Sequence, residues 1–272
     1  MRYLSLYENF DPFAHVKGGN EQIPKNVVKD CVLGFTMSND KIKNPYLSLP
    51  AGYTCPKADI CKSMAVEDPI TGRVKLMDYG DFRCYAAADE VKYPNLRNRN
   101  WSNYKLLQAQ ETKEDIIKLI DRSLKYHFPY PPRFFRIHES GDFYNQKYFD
   151  SWLEVSKQNP QTIFYGFTKS LDYWVKRLDE IPNNFRLTAS FGGKVDKLIS
   201  EYNLRYCVVV KNVEEAIEKK LPIDIDDSLA SSDSKEPFAI LMHGGQKAGS
   251  PYFADIKKNK ELVNQIKKSR AA

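Results

Sequence analysis

One stretch constrains the fold of this chain more than any other: residues 133–170, RFFRIHESGDFYNQKYFDSWLEVSKQNPQTIFYGFTKS. Residues 133–138 alternate around Phe135 and Ile137 and are rich in strand-favouring types, which predicts a strand. Glu139, Ser140, Gly141 and Asp142 follow and are too polar and flexible to continue a sheet. Phe149, Trp152, Leu153 and Ser156 then share one face of a helix, which Asn159 and Pro160 stop. Residues 162–167 read as the next strand. Two strands joined through a covering helix run parallel, with a right-handed crossover. Such β-α-β units place polar loops at the carboxyl ends of their strands, where α/β proteins bind ligands.

The theme repeats toward the C-terminus. Leu171, Trp174, Val175 and Leu178 predict a helix over 171–179, with Ser170 as its N-cap. A strand over 185–190 leads to a helix marked by Val195, Leu198, Ile199 and Tyr202. The continuous apolar run 206–210 reads as a strand buried on both faces. Asn212 and Glu215 stand in capping relation at the start of another helix. An acidic, Ser-rich connection over 224–236 precedes a last strand over 238–242, and a basic helix over 251–270 closes the chain. Upstream, Ile116, Ile117, Ile120 and Leu124 predict a helix over 113–126. Residues 31–37 read as a first buried strand with Cys31 in the core, and residues 1–30 as an irregular arm. This alternation predicts an α/β fold, a full or partial β/α barrel, in one domain over residues 1–272 with its core over 31–245. An open doubly wound parallel sheet is the competing arrangement.

Residues 45–96 break the pattern. Gly, Pro and Asp recur, neither period persists, and only a short hairpin around Thr71 and Gly72 is suggested. Long loops within compact domains are usually functional or disordered. The aromatics and three cysteines of this one exclude disorder. No apolar run in the chain approaches the ~20 residues that span a bilayer, and the N-terminus lacks a basic, then apolar, leader. A cytoplasmic protein with no membrane partner is therefore expected. Its five cysteines then serve packing, metal binding or catalysis rather than disulfides. The net charge of +6 permits an anionic partner. Residues 97–101, Arg-Asn-Arg-Asn-Trp, mix guanidinium and aromatic groups as nucleic-acid surfaces do, so a nucleotide or nucleic acid is one expected partner. The lysines of the terminal helix read as a solvated face.

The strongest chemical signal is Cys55-Pro-x4-Cys61 followed by Cys84-Tyr-Ala, with 22 residues between Cys61 and Cys84. Three thiolates from one loop can hold an iron–sulfur cluster and leave one iron without a protein ligand, whereas clusters otherwise take four cysteines. Two other readings stand beside it: a zinc site completed by His138 or His243, and cysteines that only pack. Paired CxxC knuckles, which favour zinc, are absent. Residues at the later strand ends, Thr168, Lys169, Ser190 and Gly192, gather where a cofactor is expected, as do Lys211 and His243.

The segments LSLPAGYTCP, RCYAAA, YPNLRNRNW, FRIHESGDFYNQKYFDSW and FYGFTKS resemble the phage and prophage family called gene product 88, over residues 47–170. That family is similar to the radical S-adenosylmethionine (SAM) superfamily. The superfamily's cluster loop usually reads CxxxCxxC after the first barrel strand; here the first gap is wider and an insertion precedes Cys84. The resemblance implies a 4Fe-4S cluster on Cys55, Cys61 and Cys84 with SAM at its open iron. It also sets Glu139, Ser140, Gly141 and Asp142 where the superfamily carries a Gly-Gly-Glu motif that holds the methionine end of SAM. The substrate is not implied. The second function expected is a non-enzymatic nucleic-acid-binding phage protein with structural zinc.

Overall fold

Tyr148, Phe149, Trp152, Leu153 and Val155 form a buried stripe, and the fold is assembled around it. The computed structural model describes residues 31–271 except 40, 41 and 81; the arm expected over 1–30 lies outside the described residues. In chain order the elements are β1 (Ser63–Glu67), β2 (Val74–Asp78), α1 (Tyr85–Lys92), α2 (Pro94–Gln108) and α3 (Lys113–His127). Then follow β3 (Phe134–Arg136), α4 (Gln146–Gln158), β4 (Ile163–Thr168), α5 (Leu171–Val175), β5 (Phe185–Ser190) and α6 (Lys197–Glu201). β6 (Tyr206–Val210), α7 (Val213–Glu218), β7 (Phe238–Leu241) and α8 (Ile256–Ala271) complete the chain.

β3 to β7 form one parallel sheet in strictly sequential order, curled into a half-barrel. The strands keep sequential order without reversing at a switch point, which fits a partial barrel or an open parallel sheet. The outer faces of its strands present Phe135, Phe164 and Leu187 to the core shared with α3 and α4. Phe135 lies against Trp152 with ring centroids 5.9 Å apart. The inner face carries Tyr165, Cys207 and Phe238, packed against Ala230. Ala230 belongs to the Ser-rich connection, which fills the concave side of the sheet. The Arg205 guanidinium holds it there by donating to the carbonyls of Leu229, Ala230, Ser232 and Ser234.

Several sequence expectations are corrected. Residues 31–37 form no strand, only an antiparallel bridge from Thr36 to Tyr46. The edge beside β3 is taken instead by residues 45–49, read from sequence as loop. Arg136 N donates to Pro45 O (2.9 Å), Leu47 N to Arg136 O (3.2 Å), Glu139 N to Leu47 O (2.9 Å) and Leu49 N to Ser140 O (2.9 Å). β3 is shorter than 133–138 because His138 adopts a left-handed φ of 68°, which turns the chain off the strand path. Cys31 is only partly buried at the margin of the core. Ser170 does not cap α5; its hydroxyl donates to Phe143 O at 2.7 Å. Residues 45–96 are mostly ordered structure, with an antiparallel hairpin β1–β2 and the helices α1 and α2. Their periodicity is hidden because α2 buries polar groups, among them Asn100 and Asn103.

Arg97 and Trp101, expected on a nucleic-acid-facing surface, lie inside that helix. Arg97 is buried and pairs with Glu67 at 2.8 Å, and Trp101 is buried against Tyr53. No helix among the described residues is long and apolar enough to cross a membrane.

Replacing Trp152 by Ala removes the centre of the buried stripe and is expected to cost about 3–5 kcal/mol. Ile70, 93% exposed at the hairpin tip, should tolerate Ala within ~0.5 kcal/mol. Urea midpoints of the two variants check the contrast.

Candidate functional site

The carboxyl ends of β3 to β7 open on one cavity of about 340 Å³, within the usual range for small-molecule sites. Cys55, Cys61 and Cys84 line it together with Glu139, Ser140, Gly141, Asp142, Thr168, Lys169 and Ser190. The cysteines thus meet at one rim although they come from two separate segments. Gly192 is the exception among the expected site residues and does not reach the cavity.

Gly192 acts on the cysteine segment from outside. Its φ is 94°, and a Cβ there would stand 2.4 Å from Ile60 Cδ1. Its carbonyl accepts from Asp59 N and Ile60 N (both 3.3 Å), and Lys194 N donates to Lys57 O at 2.9 Å. The Asp196 carboxylate fixes this turn by accepting from Gly192 N and Gly193 N at 2.8 and 2.9 Å. Gly141 plays the matching part on the other side. Its φ is 85°, and a Cβ would lie 2.5 Å from Thr54 Oγ1 and 2.7 Å from Leu49 Cβ. Both glycines admit the cysteine segment. The close approach that Gly141 permits is therefore to Leu49 and Thr54, where the sequence reading had expected a cofactor.

Cys84 arrives by the hairpin. β1 and β2 carry the chain out and back, and Cys84 N donates to Ser63 Oγ at 3.1 Å. Cys84 is also the N-cap position of α1, where the first helical N–H groups, at Ala87 and Ala86, favour a thiolate. Burial nevertheless pushes its pKa up to about 12, with Cys61 adding to the rise. Cys55 is held well above its ordinary value by burial first, then by Asp142, Cys84 and Cys61. The thiols therefore sense one another as like charges. Lys169 stands among them. Burial opposes its charge, but Cys61, Cys207, Asp142 and Cys55 keep its pKa raised, and its ammonium donates to Ser190 Oγ at 2.6 Å.

The two acids of the 139–142 turn have different employment. Asp142 is buried and fully engaged: Oδ1 accepts from Phe143 N (2.7 Å) and Thr168 Oγ1 (2.6 Å), Oδ2 from Lys169 N (2.8 Å). Burial raises its pKa to about 6 against these bonds. It braces the β3 turn to the end of β4, and it does not cap α4; Asn145 does, accepting from Tyr148 N at 2.8 Å. Glu139 has one weak carboxylate contact, from Ser48 Oγ at 3.1 Å, and its carbonyl accepts from Tyr85 OH at 2.6 Å.

The two histidines expected as zinc ligands point to other partners. Among the described residues no group of three or more His, Cys, Asp or Glu side chains is arranged to hold a metal ion. His138 Nε2 faces Tyr148 OH at 3.0 Å, and burial together with Arg136 lowers the ring's pKa to about 3. His243 turns Nδ1 to Leu241 O at 3.0 Å and lies on the Tyr85 ring, centroids 4.6 Å apart.

Sequence reasoning missed three functional groups here. Tyr85 follows Cys84 directly and holds the Glu139 carbonyl. Arg136, on the inward face of β3, lines the cavity and pairs with Asp227 at 2.8 Å. The alternation that placed Phe135 outside already required Arg136 to point inward. The third, Glu90, carried no local signal.

A family model described as gene product 88 matches residues 16–267 of this chain. No curated protein and no solved structure matches it.

Glu90 provides a pH test of the site's support. Its Oε1 accepts from Ala51 N and Asn100 Nδ2, both at 2.9 Å, and so anchors the start of the cysteine segment. Burial raises its pKa from 4.5 to about 7. The folded chain then keeps a proton that the unfolded chain has lost. This contribution to stability is present below about 4.5 and decreases as pH rises toward about 7, by at most ~1.4 kcal/mol per pH unit. Glu90→Gln should flatten that slope relative to the unmodified chain, read from urea unfolding at several pH values across the window.

Proposed function

The chain belongs to the gene product 88 family, and from that premise we propose that it is an iron–sulfur protein that binds SAM at the mouth of its half-barrel. One observation carries the reading. Cys55, Cys61 and Cys84 converge at the carboxyl rim of a parallel sheet, beside the 139–142 turn, in a single cavity. Rims of this kind are where α/β folds bind ligands and where several strand ends can each lend a residue.

Three thiols lining one cavity are the donor type that an iron–sulfur cluster takes. Burial and neighbouring like charges raise the pKa of Cys55 and Cys84, and bound iron would favour their thiolate form. When bound, the cluster and SAM supply the one-electron chemistry.

The chain's own residues then have distinct tasks. Glu139 faces the cavity with acceptor capacity to spare, and we assign it the SAM ammonium. A charge-assisted hydrogen bond of that kind is about twice as strong as a neutral one. Asp142 positions the turn through Thr168 and Lys169. Lys169 and Ser190 line the same cavity, where the buried ammonium would offset the negative charge of the thiolates. Tyr85 locks the Glu139 backbone, so the helix that begins at Cys84 and the SAM-holding turn keep one spacing.

Anaerobic reconstitution with iron and sulfide should give a brown protein absorbing near ~400 nm, from sulfur-to-iron charge transfer in the cluster. Cys55→Ala, Cys61→Ala and Cys84→Ala should each abolish it. A colourless protein carrying one zinc per chain would overturn the proposal.

Glu139→Gln should leave the absorption intact and weaken SAM binding by about ten- to a hundredfold, the worth of one hydrogen bond to a charged group. Asp142→Asn should lower the melting temperature as well, because it removes the brace. Equilibrium dialysis with SAM and thermal unfolding separate the two roles. Equal SAM affinity in Glu139→Gln and the unmodified chain would reject the assignment.

A further inference from the structure

We propose that the floor of the same cavity binds a neutral, amide-bearing small molecule through the paired side chains of Arg136 and Asp227. The reading above is borrowed only in calling that molecule the substrate of a cofactor at the mouth; its binding requires neither cluster nor SAM.

Arg136 projects inward from β3 and is buried, and Asp227 reaches it from the Ser-rich connection under the sheet. Arg136 Nη1 donates to Asp227 Oδ2 at 2.8 Å, Nε donates to His138 O at 3.3 Å, and the guanidinium lies over the Phe167 ring, 5.0 Å from its centroid. Tyr165 OH donates to the same Oδ2 at 3.1 Å and is itself held by Asn44 Nδ2 at 3.1 Å. These bonds fix both side chains. They leave the remaining N–H groups of Arg136 and the Oδ1 atom of Asp227 without a partner among the described residues, and both residues line the cavity.

The floor therefore offers a donor and an acceptor side by side. That pattern is the complement of an amide edge, whose carbonyl accepts from the guanidinium while its N–H donates to the carboxylate. A carboxylate ligand would meet Asp227 and an ammonium would meet Arg136, and like charges placed together cost several kcal/mol. Phe167, Val209 and Ile240 line the same cavity, which suits a flat or apolar body behind the amide. The polar pair is also pre-organised. Asp227 sits at a left-handed φ of 63°, a conformation that Asp and Asn tolerate better than other residues, so the carboxylate is aimed before any ligand arrives.

Nicotinamide and nicotinate test the inference, since they differ only in exchanging a carboxamide for a carboxylate. Ligand-observed NMR titrations of the full chain, purified in air, should show nicotinamide binding about tenfold or more tightly than nicotinate, the penalty of a like charge at Asp227. Asp227→Asn keeps the side chain's size and its tolerance of the backbone angle but removes the charge, and it should invert the preference toward nicotinate. Tyr165→Phe, which removes only one hydrogen bond to Asp227, should leave the preference as it is. The proposal fails if nicotinate binds the unmodified chain as well as nicotinamide does, if nicotinamide shows no binding at millimolar concentration, or if a folded Asp227→Asn keeps the original preference. Should that variant not fold, the comparison on the unmodified chain decides. A colourless protein after reconstitution would sink the cofactor reading and leave these titrations unaffected.

Discussion

Four main-chain hydrogen bonds between residues 45–49 and the β3 edge govern where everything at the site goes. They fix the register of an extended segment that carries no strand signature of its own. Register on a sheet edge determines both which side chains face inward and at which end the chain leaves. Leaving at the carboxyl rim, the chain turns at once into the segment that bears Cys55 and Cys61. Gly141 and Gly192 then let that segment lie against the ends of β3 and β5, each in a conformation and at a distance that a Cβ would forbid. The hairpin and α1 follow, and return Cys84 to the same rim.

The cost of this arrangement is electrostatic. Thiols, carboxyls, an ammonium and a guanidinium are gathered around one cavity, and burial disfavours the charged form of Cys55, Cys84, Asp142, Lys169 and Arg136. The structure offsets this by pairing. Asp142 accepts three hydrogen bonds, Lys169 lies among the thiols and Asp142, and Arg136 is matched to Asp227. The fully packed aromatic core around Trp152 and Phe135 supplies the stability that such a site consumes. His138, with its left-handed backbone at the junction of core and cavity, marks where the strand ends and the site begins; strained backbone of this kind clusters at functional sites.

What could be read from the chain was what repeats locally. The alternation around Phe135, the stripe of Phe149 and Trp152, and the apolar runs at 206–210 and 238–242 each report a period that the backbone itself imposes, and all five strands of the parallel sheet appear where those periods place them. The three cysteines were visible too, because residue identity is read directly from the chain, and they line one cavity. Residues 45–49 and α2 were not visible. Pro45 and Pro50 mask the first, and the buried Arg97, Asn100 and Asn103 disguise the second, because a buried polar residue reads as exposed until its partner is known.

The sequence by itself thus determined the layered β/α pattern and the inventory of reactive groups. Tertiary structure alone decided their roles. Asp142 and Glu139 are both acids at the ends of one short turn, yet one is consumed by Thr168 and Lys169 and the other is left facing the cavity. Arg136 and Asp227 are 91 residues apart, and nothing near either one announces the other. Hydrogen-bond partners, burial and the sum of neighbouring charges come from residues distant in the chain, and those quantities exist only once the chain has closed on itself.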